Sequence, residues 1–331
     1  MGLYSDRRPK PYFLAVSAGL MCVGLLLLSV ASSFAVVLVA SAIVGIGSSM
    51  FHPEASRVAR MASGGQPGLA QSVFQVGGNI GSAIGPLFVA FAVAGRGQSI
   101  VGRFSLLALV SLGVLVAVGR WYKTQIAGRP TGAKHASLGH SSLSQRQRSS
   151  ALTILLILVF SKFVYLTSLT SYYALYLIDR FHISIHDSQI YQFVFAAAAA
   201  VGTAAGGPLG DRFGRRYVIW ISILGVAPFS LAMPYANLTW TVLLSVAIGL
   251  ILASAFSAIV VYGQDIMPGK VGTVSGLFFG FAFGVAGLGA AVLGRVADAT
   301  SIEFVYRICS FFPLIGMVAA FLPRLDENRR R

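Results

Sequence analysis

The sequence predicts an all-α, polytopic membrane protein, and three observations carry that prediction: its composition, its apolar runs, and the sides on which its basic residues fall. Of 331 residues, 56% are hydrophobic and only 11% are charged. A soluble domain of this length carries about a quarter charged residues. Helices that face lipid need long stretches without charge, because an ion at the bilayer centre costs about 2.5–3.5 kcal/mol on insertion scales.

A hydrocarbon core about 30 Å thick is crossed by a helix of about 20 apolar residues. That ruler predicts ten spans, over 11–30, 34–51, 68–94, 101–119, 151–177, 188–206, 217–235, 240–262, 271–294 and 304–322. Pro86 falls inside the third, where a membrane helix tolerates it if neighbours satisfy the freed backbone groups. On alternate sides of these spans lie nineteen and five Lys or Arg, with Lys162 inside a span. By the positive-inside rule both termini are expected in the cytoplasm.

The net charge of +15 does not point to nucleic acid. The basic residues sit in short loops between apolar runs and form no soluble face with interleaved aromatics. Cys22 and Cys309 each lie inside an apolar run, far from a second Cys or a His pair at ligand spacing, so neither a disulfide framework, a metal site nor a cofactor is expected. The first residues lack the apolar segment and cleavage site of a signal peptide. Residues 120–150 carry six Lys or Arg, no acid and many Ser and Gly. They are expected to form a basic cytoplasmic linker between an N-terminal bundle, 1–119, and a C-terminal bundle of six helices, 151–331.

An internal repeat is the most specific signal. Gly2, Asp6, Arg7 and Lys10 recur as Gly207, Asp211, Arg212 and Arg215, with the two Asp 205 residues apart. Each copy has Gly, three residues, Asp-Arg and a basic residue three positions on, just before a span. Gly lets two helices approach, while Asp and Arg can pair and cap exposed helix ends. Such a clasp can hold one conformer shut and release it in another. The alternative is a basic loop without a switching role, which suits one copy better than two in register.

The pattern resembles the Gly-x-x-x-Asp-Arg-x-Gly-Arg loop that follows the second helix of each six-helix half in the major facilitator superfamily. The second copy matches throughout; the first has Pro9 where the family prefers Gly. Gly81, Gly85 and Pro86 resemble the Gly-x-x-x-Gly-Pro motif in the fifth helix of that superfamily's exporters, where small residues allow close packing and Pro kinks the helix. Phe51 to Arg57, Phe74 to Asn79, Ser161 to Tyr165 and Gly207 to Asn237 resemble the fosmidomycin-resistance branch.

The resemblance implies a major facilitator fold in the cell (inner) membrane, a monomer, and secondary export of a small-molecule drug or organic anion in exchange for protons. Organic-anion uptake and an inactive remnant stand as alternatives. A membrane-embedded transferase is disfavoured, because the ten acids form no cluster at an aqueous boundary, and no enzyme is expected. The first loop motif begins at residue 2, whereas two spans precede the second. The resemblance therefore implies two further helices upstream, leaving a truncated bundle of four beside the bundle of six.

Lys162 lies about 16 Å into its span at 1.5 Å per residue, too deep to snorkel easily, and intramembrane charges usually face a cavity. With Tyr165 and Tyr172 it can present an ammonium and phenols on one face, chemistry that suits a phosphonate; a neighbouring carbonyl is the alternative partner for the Lys. Gln71, Gln75 and Asn79 recur at intervals of four and make a polar stripe, for substrate or for cross-helix bonds. His52 and Glu54 flank Pro53 at the end of the second span. They can carry protons or cap a loop, and Gln264 and Asp265 stand similarly before Pro268. Gly272, Gly276, Gly280 and Gly284 form a ridge that is expected to serve packing.

Overall fold

The computed structural model describes residues 2–7, 10–88, 98–127, 143–323 and 325. Among them every regular element is helical. Eight helical segments are long and apolar enough to cross a membrane, and a shorter apolar helix, Phe13–Ser29, joins them. Each of the ten expected spans overlaps helical chain, and residues 89–94 of the third lie outside the described residues. Large apolar side chains cover the outside, including Val30, Phe34, Leu106 and Leu288, each more than 60% exposed. That inversion is the signature of a lipid-facing surface.

In chain order the α-helices are α1 (Gly2–Arg7), α2 (Phe13–Ser29), α3 (Phe34–Met61), α4 (Pro67–Phe88), α5 (Ser105–Ala127), α6 (Gln145–Ser171), α7 (Tyr173–Phe181), α8 (Ile185–Phe213), α9 (Arg215–Leu224), α10 (Ala227–Ala232), α11 (Leu238–Ala253), α12 (Ala255–Ile266), α13 (Val271–Ala299) and α14 (Ile302–Cys309). Their starts follow local chemistry. Ser33, Ser144, Ser184, Asn237 and Ser301 each accept a backbone N–H of the helix they precede, which contributes about 1 kcal/mol per cap. Ser144 and Gln147 form a reciprocal capping box.

Several boundaries depart from the hydropathy ruler. The second span, expected to end at 51, continues as α3 to Met61 through Pro53, because helix propensity and packing carry the chain past the apolar run. The fifth span is broken: α6 stops at Ser171 and α7 restarts at Tyr173. Of the expected linker, residues 120–127 extend α5 and 145–150 open α6. Residues 128–142 lie outside the described residues, as do Arg8 and Pro9 of the first loop motif. Gly214, with φ +97, makes the turn from α8 to α9, a conformation a Cβ would strain.

The chain packs as two compact units. One comprises Met1–Ala62, Ile84–His140 and Pro268–Leu277; the other comprises Ser63–Ala83, Ser141–Met267 and Phe278–Arg331. In the first, α2 packs along α3 and α5, and Gly47 brings α3 against Ser17, Leu20 and Met21. In the second, the core gathers Tyr165, Leu169, Tyr173, Tyr176, Phe195, Leu252, Tyr306 and Cys309. Tyr176 stacks on Tyr306 with centroids 4.0 Å apart. Each unit draws on both halves of the sequence and contains one copy of the loop motif.

Candidate functional site

The first N–H groups of a helix lack partners within it, and a capping side chain normally precedes them. The residues before α4 and α13 are Gln66 and Lys270, neither of which is a favoured capping residue. A carboxylate from elsewhere in the chain does the capping instead. In the first unit, Asp6 accepts the Gly272 N–H at 2.8 Å, the Thr273 N–H at 2.7 Å and the Thr273 hydroxyl at 2.6 Å. In the second, Asp211 accepts the Gly68 N–H at 3.1 Å and the Leu69 N–H at 2.9 Å. Both carboxylates therefore bridge the second and third residues of a helix, where the helix dipole favours a negative charge.

The glycines of the motif permit this approach. A Cβ on Gly2 would strike the Gly272 carbonyl, and a Cβ on Gly207 would strike the Gly68 carbonyl. Behind Asp211 stands Arg215, donating to it at 3.0 Å and pairing with Asp265 through its other terminal nitrogen. Lys10, the residue at the corresponding place in the first copy, is exposed. Arg7 and Arg212 are also exposed, and Arg212 lies over the ring of its neighbour Phe213.

Lys162 is only 3% exposed on α6. Its ammonium lies 5.3 Å from the centroid of Phe256 and 5.7 Å from that of Phe163. Among the described residues no carboxylate pairs with it. Two ring faces return about 0.5–2 kcal/mol each, against an effective burial cost of several kcal/mol for an ion. Phe256 is edge-on to Phe163 and to Phe279, which meets Phe74 at 6.0 Å, so a row of rings continues from the ammonium.

The polar stripe of α4 reaches its neighbours. Gln75 donates to Ser257 at 3.0 Å, Ser72 donates to the same hydroxyl at 3.0 Å, and Asn79 donates to Thr203 at 2.9 Å. Gln71 is buried. The stripe thus ties α4 to α12 and α8 within one unit. Tyr165 is placed in the aromatic core with Leu169 and Tyr306. Tyr172 donates to the Ala290 carbonyl at 2.5 Å. Because α6 ends at Ser171, the single face that was to carry Lys162 and both tyrosines does not continue to Tyr172.

His52 and Glu54 lie inside α3 and not in a loop. The His52 Nδ1 is 3.0 Å from the Ser48 carbonyl, and Glu54, 1% exposed, stands 3.9 Å from Arg57. In the glycine ridge, Gly272 and Gly276 approach the first clasp and Pro53, whereas Gly280 and Gly284 meet nothing within 4 Å. Gly81 is equally open. Gly85 and Pro86 close α4, where side chains lie outside the described residues.

Sequence reasoning missed Ser72, Ser257, Phe256, Phe279 and Thr273. The sequence signal that was available is Pro67-Gly68 and Val271-Gly272, a small residue at the second position of two helices in equivalent places.

The chain matches the Major Facilitator Superfamily over residues 1–289 and again over 155–331. It is 54% identical over 331 residues to the fosmidomycin resistance protein of Escherichia coli K12, covering all of this chain and 80% of that protein. It is 39% identical to an uncharacterized MFS-type transporter of Bacillus subtilis, covering all of this chain and 81% of that protein. Among solved structures, the fucose:proton symporter of E. coli aligns with a TM-score of 0.72 at 15% identity, over 98% of this chain and 86% of that one. The human organic anion transporter MFSD10 aligns at 0.71 and 17%, over 97% and 79%. The chain belongs to the major facilitator superfamily and is a membrane transporter of small molecules.

Proposed function

We propose that this major facilitator transporter exports small anionic drugs of the fosmidomycin type, driven by protons moving the other way. The observation that carries the reading is Lys162: a buried ammonium faced by rings, with no carboxylate pairing it among the described residues. A transported anion neutralises it on arrival and leaves it uncompensated on release. Binding of substrate therefore biases the conformational equilibrium, the requirement for coupling. A likeness of 54% identity along the whole chain to a fosmidomycin resistance protein supports the drug class.

In this reading the protein is a monomer in the inner membrane with both termini cytoplasmic, and its repeat halves, 1–119 and 151–331, are joined by the basic segment 120–150. The two clasps then lie on the cytoplasmic side, where breaking them opens the pathway inward. Gln71, Gln75, Asn79, Tyr165 and Tyr172 support the substrate region through their helices, and Gly81, Gly85 and Pro86 shape α4. Glu54 and His52 are the groups assigned to the proton, since Glu54 is a buried acid next to the helix-internal Pro53.

The test is a fosmidomycin resistance and accumulation assay in a sensitive bacterial host, at matched membrane levels of wild type, Lys162→Ala and Lys162→Arg, with and without a protonophore. The expected outcome is loss of resistance in Lys162→Ala, partial retention in Lys162→Arg, and higher drug accumulation when the gradient is collapsed. Wild-type resistance in Lys162→Ala removes the residue from the mechanism, and gradient-dependent accumulation of drug inside the cell makes the protein an importer.

A further inference from the structure

At the end of the second unit away from Asp211, α14 begins at Ile302, and α10 is followed by one tight turn, Met233–Tyr235. A cavity of about 590 Å³ opens between them, within the range of about 300–1,000 Å³ that ligand sites occupy. Tyr235, Phe304 and Arg307 line it, and Ile308, Phe311 and Ile315 continue the wall. The lining is graded along the chain. Arg307 is its one charged group among the described residues, and Ile315 lies eight residues further into the span, about 12 Å at a helical rise. Such a wall fits an amphiphile, with charge at one end and apolar length behind it.

Two aromatic residues set its depth. Tyr235 and Trp240 stand exposed on either side of the connection at Ala236 and Asn237, and Tyr and Trp gather where hydrocarbon meets headgroups. The basic mouth is therefore level with lipid phosphates, and the apolar end lies among acyl chains. The charge at the mouth is unbalanced. Arg180 donates to Glu303 at 2.7 Å, whereas Arg307 stands 3.8 Å from the same carboxylate, too far for a hydrogen bond. In this cluster two guanidiniums share one carboxylate, which leaves one positive charge to attract a guest. The Arg307 side chain is 52% exposed, and a guanidinium takes a phosphate through two parallel N–H donors.

We propose that this cavity binds an anionic phospholipid, with the headgroup phosphate on Arg307 and an acyl chain along Ile308, Phe311 and Ile315. A zwitterionic headgroup carries its own ammonium and gains less from the unbalanced charge. Phe304, Ile308 and Phe311 are exposed on the outer surface of the chain, where a bilayer lipid enters from the side. The site does not include Lys162, so it stands whatever the transported substrate is.

The experiment is native mass spectrometry of the purified full chain, titrated with phosphatidylglycerol or phosphatidylcholine of identical acyl chains and read as the affinity of the first lipid retained. Wild type is compared with Arg307→Ala, Arg307→Lys, Ile315→Trp and Arg295→Ala, each required to be monodisperse. Phosphatidylglycerol is expected to bind about fivefold more tightly than phosphatidylcholine, the effect of one basic residue on an anionic lipid. Arg307→Ala is expected to remove that preference, and Arg307→Lys to keep most of it. Ile315→Trp, which fills the apolar end, is expected to weaken both lipids. Arg295→Ala removes an exposed charge outside the cavity and should leave the preference unchanged. Equal binding of the two lipids to wild type, a preference that survives Arg307→Ala, or one that Arg295→Ala lowers as much, overturns the site. Displacement of phosphatidylglycerol by glycerol 3-phosphate would make the cavity a seat for a small phosphate, and a dimer that retains no lipid would give this face to a second copy. Either result overturns the lipid assignment.

Discussion

Asp6 and Asp211 perform the same task in two different electrical settings. Each bridges the N–H groups of the second and third residues of a helix that its own sequence half does not contain. Behind Asp211 the charge is balanced by Arg215, itself held by Asp265. At Asp6 a hydroxyl from Thr273 adds a third donor, and Lys10 stays in the open. The repeat has kept the backbone geometry, glycine and carboxylate, while the surrounding charge has diverged. The second clasp is an ion network, and the first is a set of hydrogen bonds.

The largest effects should come where the two clasps are alike. Gly207→Ala and Gly2→Ala each place a Cβ against a backbone carbonyl that no rotamer change can move, and overpacking of this kind costs about 1–3 kcal/mol. Both are expected to lose most transport and to unfold at lower temperature in a detergent melt. Gly280→Ala, with nothing within 4 Å of the added carbon, should match wild type. Equal tolerance at all three positions would mean that the clasps do not need this approach.

A smaller effect should separate the copies. Asp211→Asn removes the charge that two N–H groups and Arg215 share, a loss of about 1.5–3 kcal/mol for hydrogen bonds to a charged group. Transport is expected to fall by about tenfold while membrane abundance changes little. Asp6→Asn should do less harm, because among the described residues no ion pair is dismantled with it. A reversed order, measured as initial transport rate at equal expression, would contradict the division into network and hydrogen-bond clasp.

The repeat itself was legible because the same spacing of Gly, Asp-Arg and a basic residue recurs in register, with the two Asp 205 residues apart. Its partners were not. Which helix start Asp6 or Asp211 caps depends on packing between distant segments, and hydropathy carries no record of it. The same limit explains the overlong α3: the ruler detects where apolar residues stop, while the helix continues through His52, Glu54 and Arg57. Lys162 could be picked out as a lone charge in an apolar run. The rings around it come from α12 as well as α6, a pairing that only the folded chain displays. Tyr172 was misjudged for a local reason, since helical spacing cannot foresee that α6 ends one residue earlier.

The basic residues sharpen the comparison further. Arg215→Ala breaks two ion pairs of a largely buried guanidinium and is expected to cost about 1–3 kcal/mol, whereas exposed Lys10→Ala should stay within about 0.5 kcal/mol. Thermal melts at low and high salt would check this, with salt narrowing the small Lys10 effect first. Between these two falls Thr273→Val, which removes one hydroxyl from the first clasp alone. About 1 kcal/mol and a modest loss of rate are expected, with no change in the response to Asp211→Asn.

The central claim, that a buried ammonium at Lys162 seats the transported anion, is tested most directly by proton-driven uptake of a radiolabelled phosphonate into everted membrane vesicles. Wild type should accumulate the label when a pH gradient is imposed and release it when the gradient is collapsed. Lys162→Ala should accumulate none above empty vesicles at the same protein level, and Lys162→Arg should retain a fraction. Gradient-driven accumulation by Lys162→Ala at the wild-type rate would contradict the account.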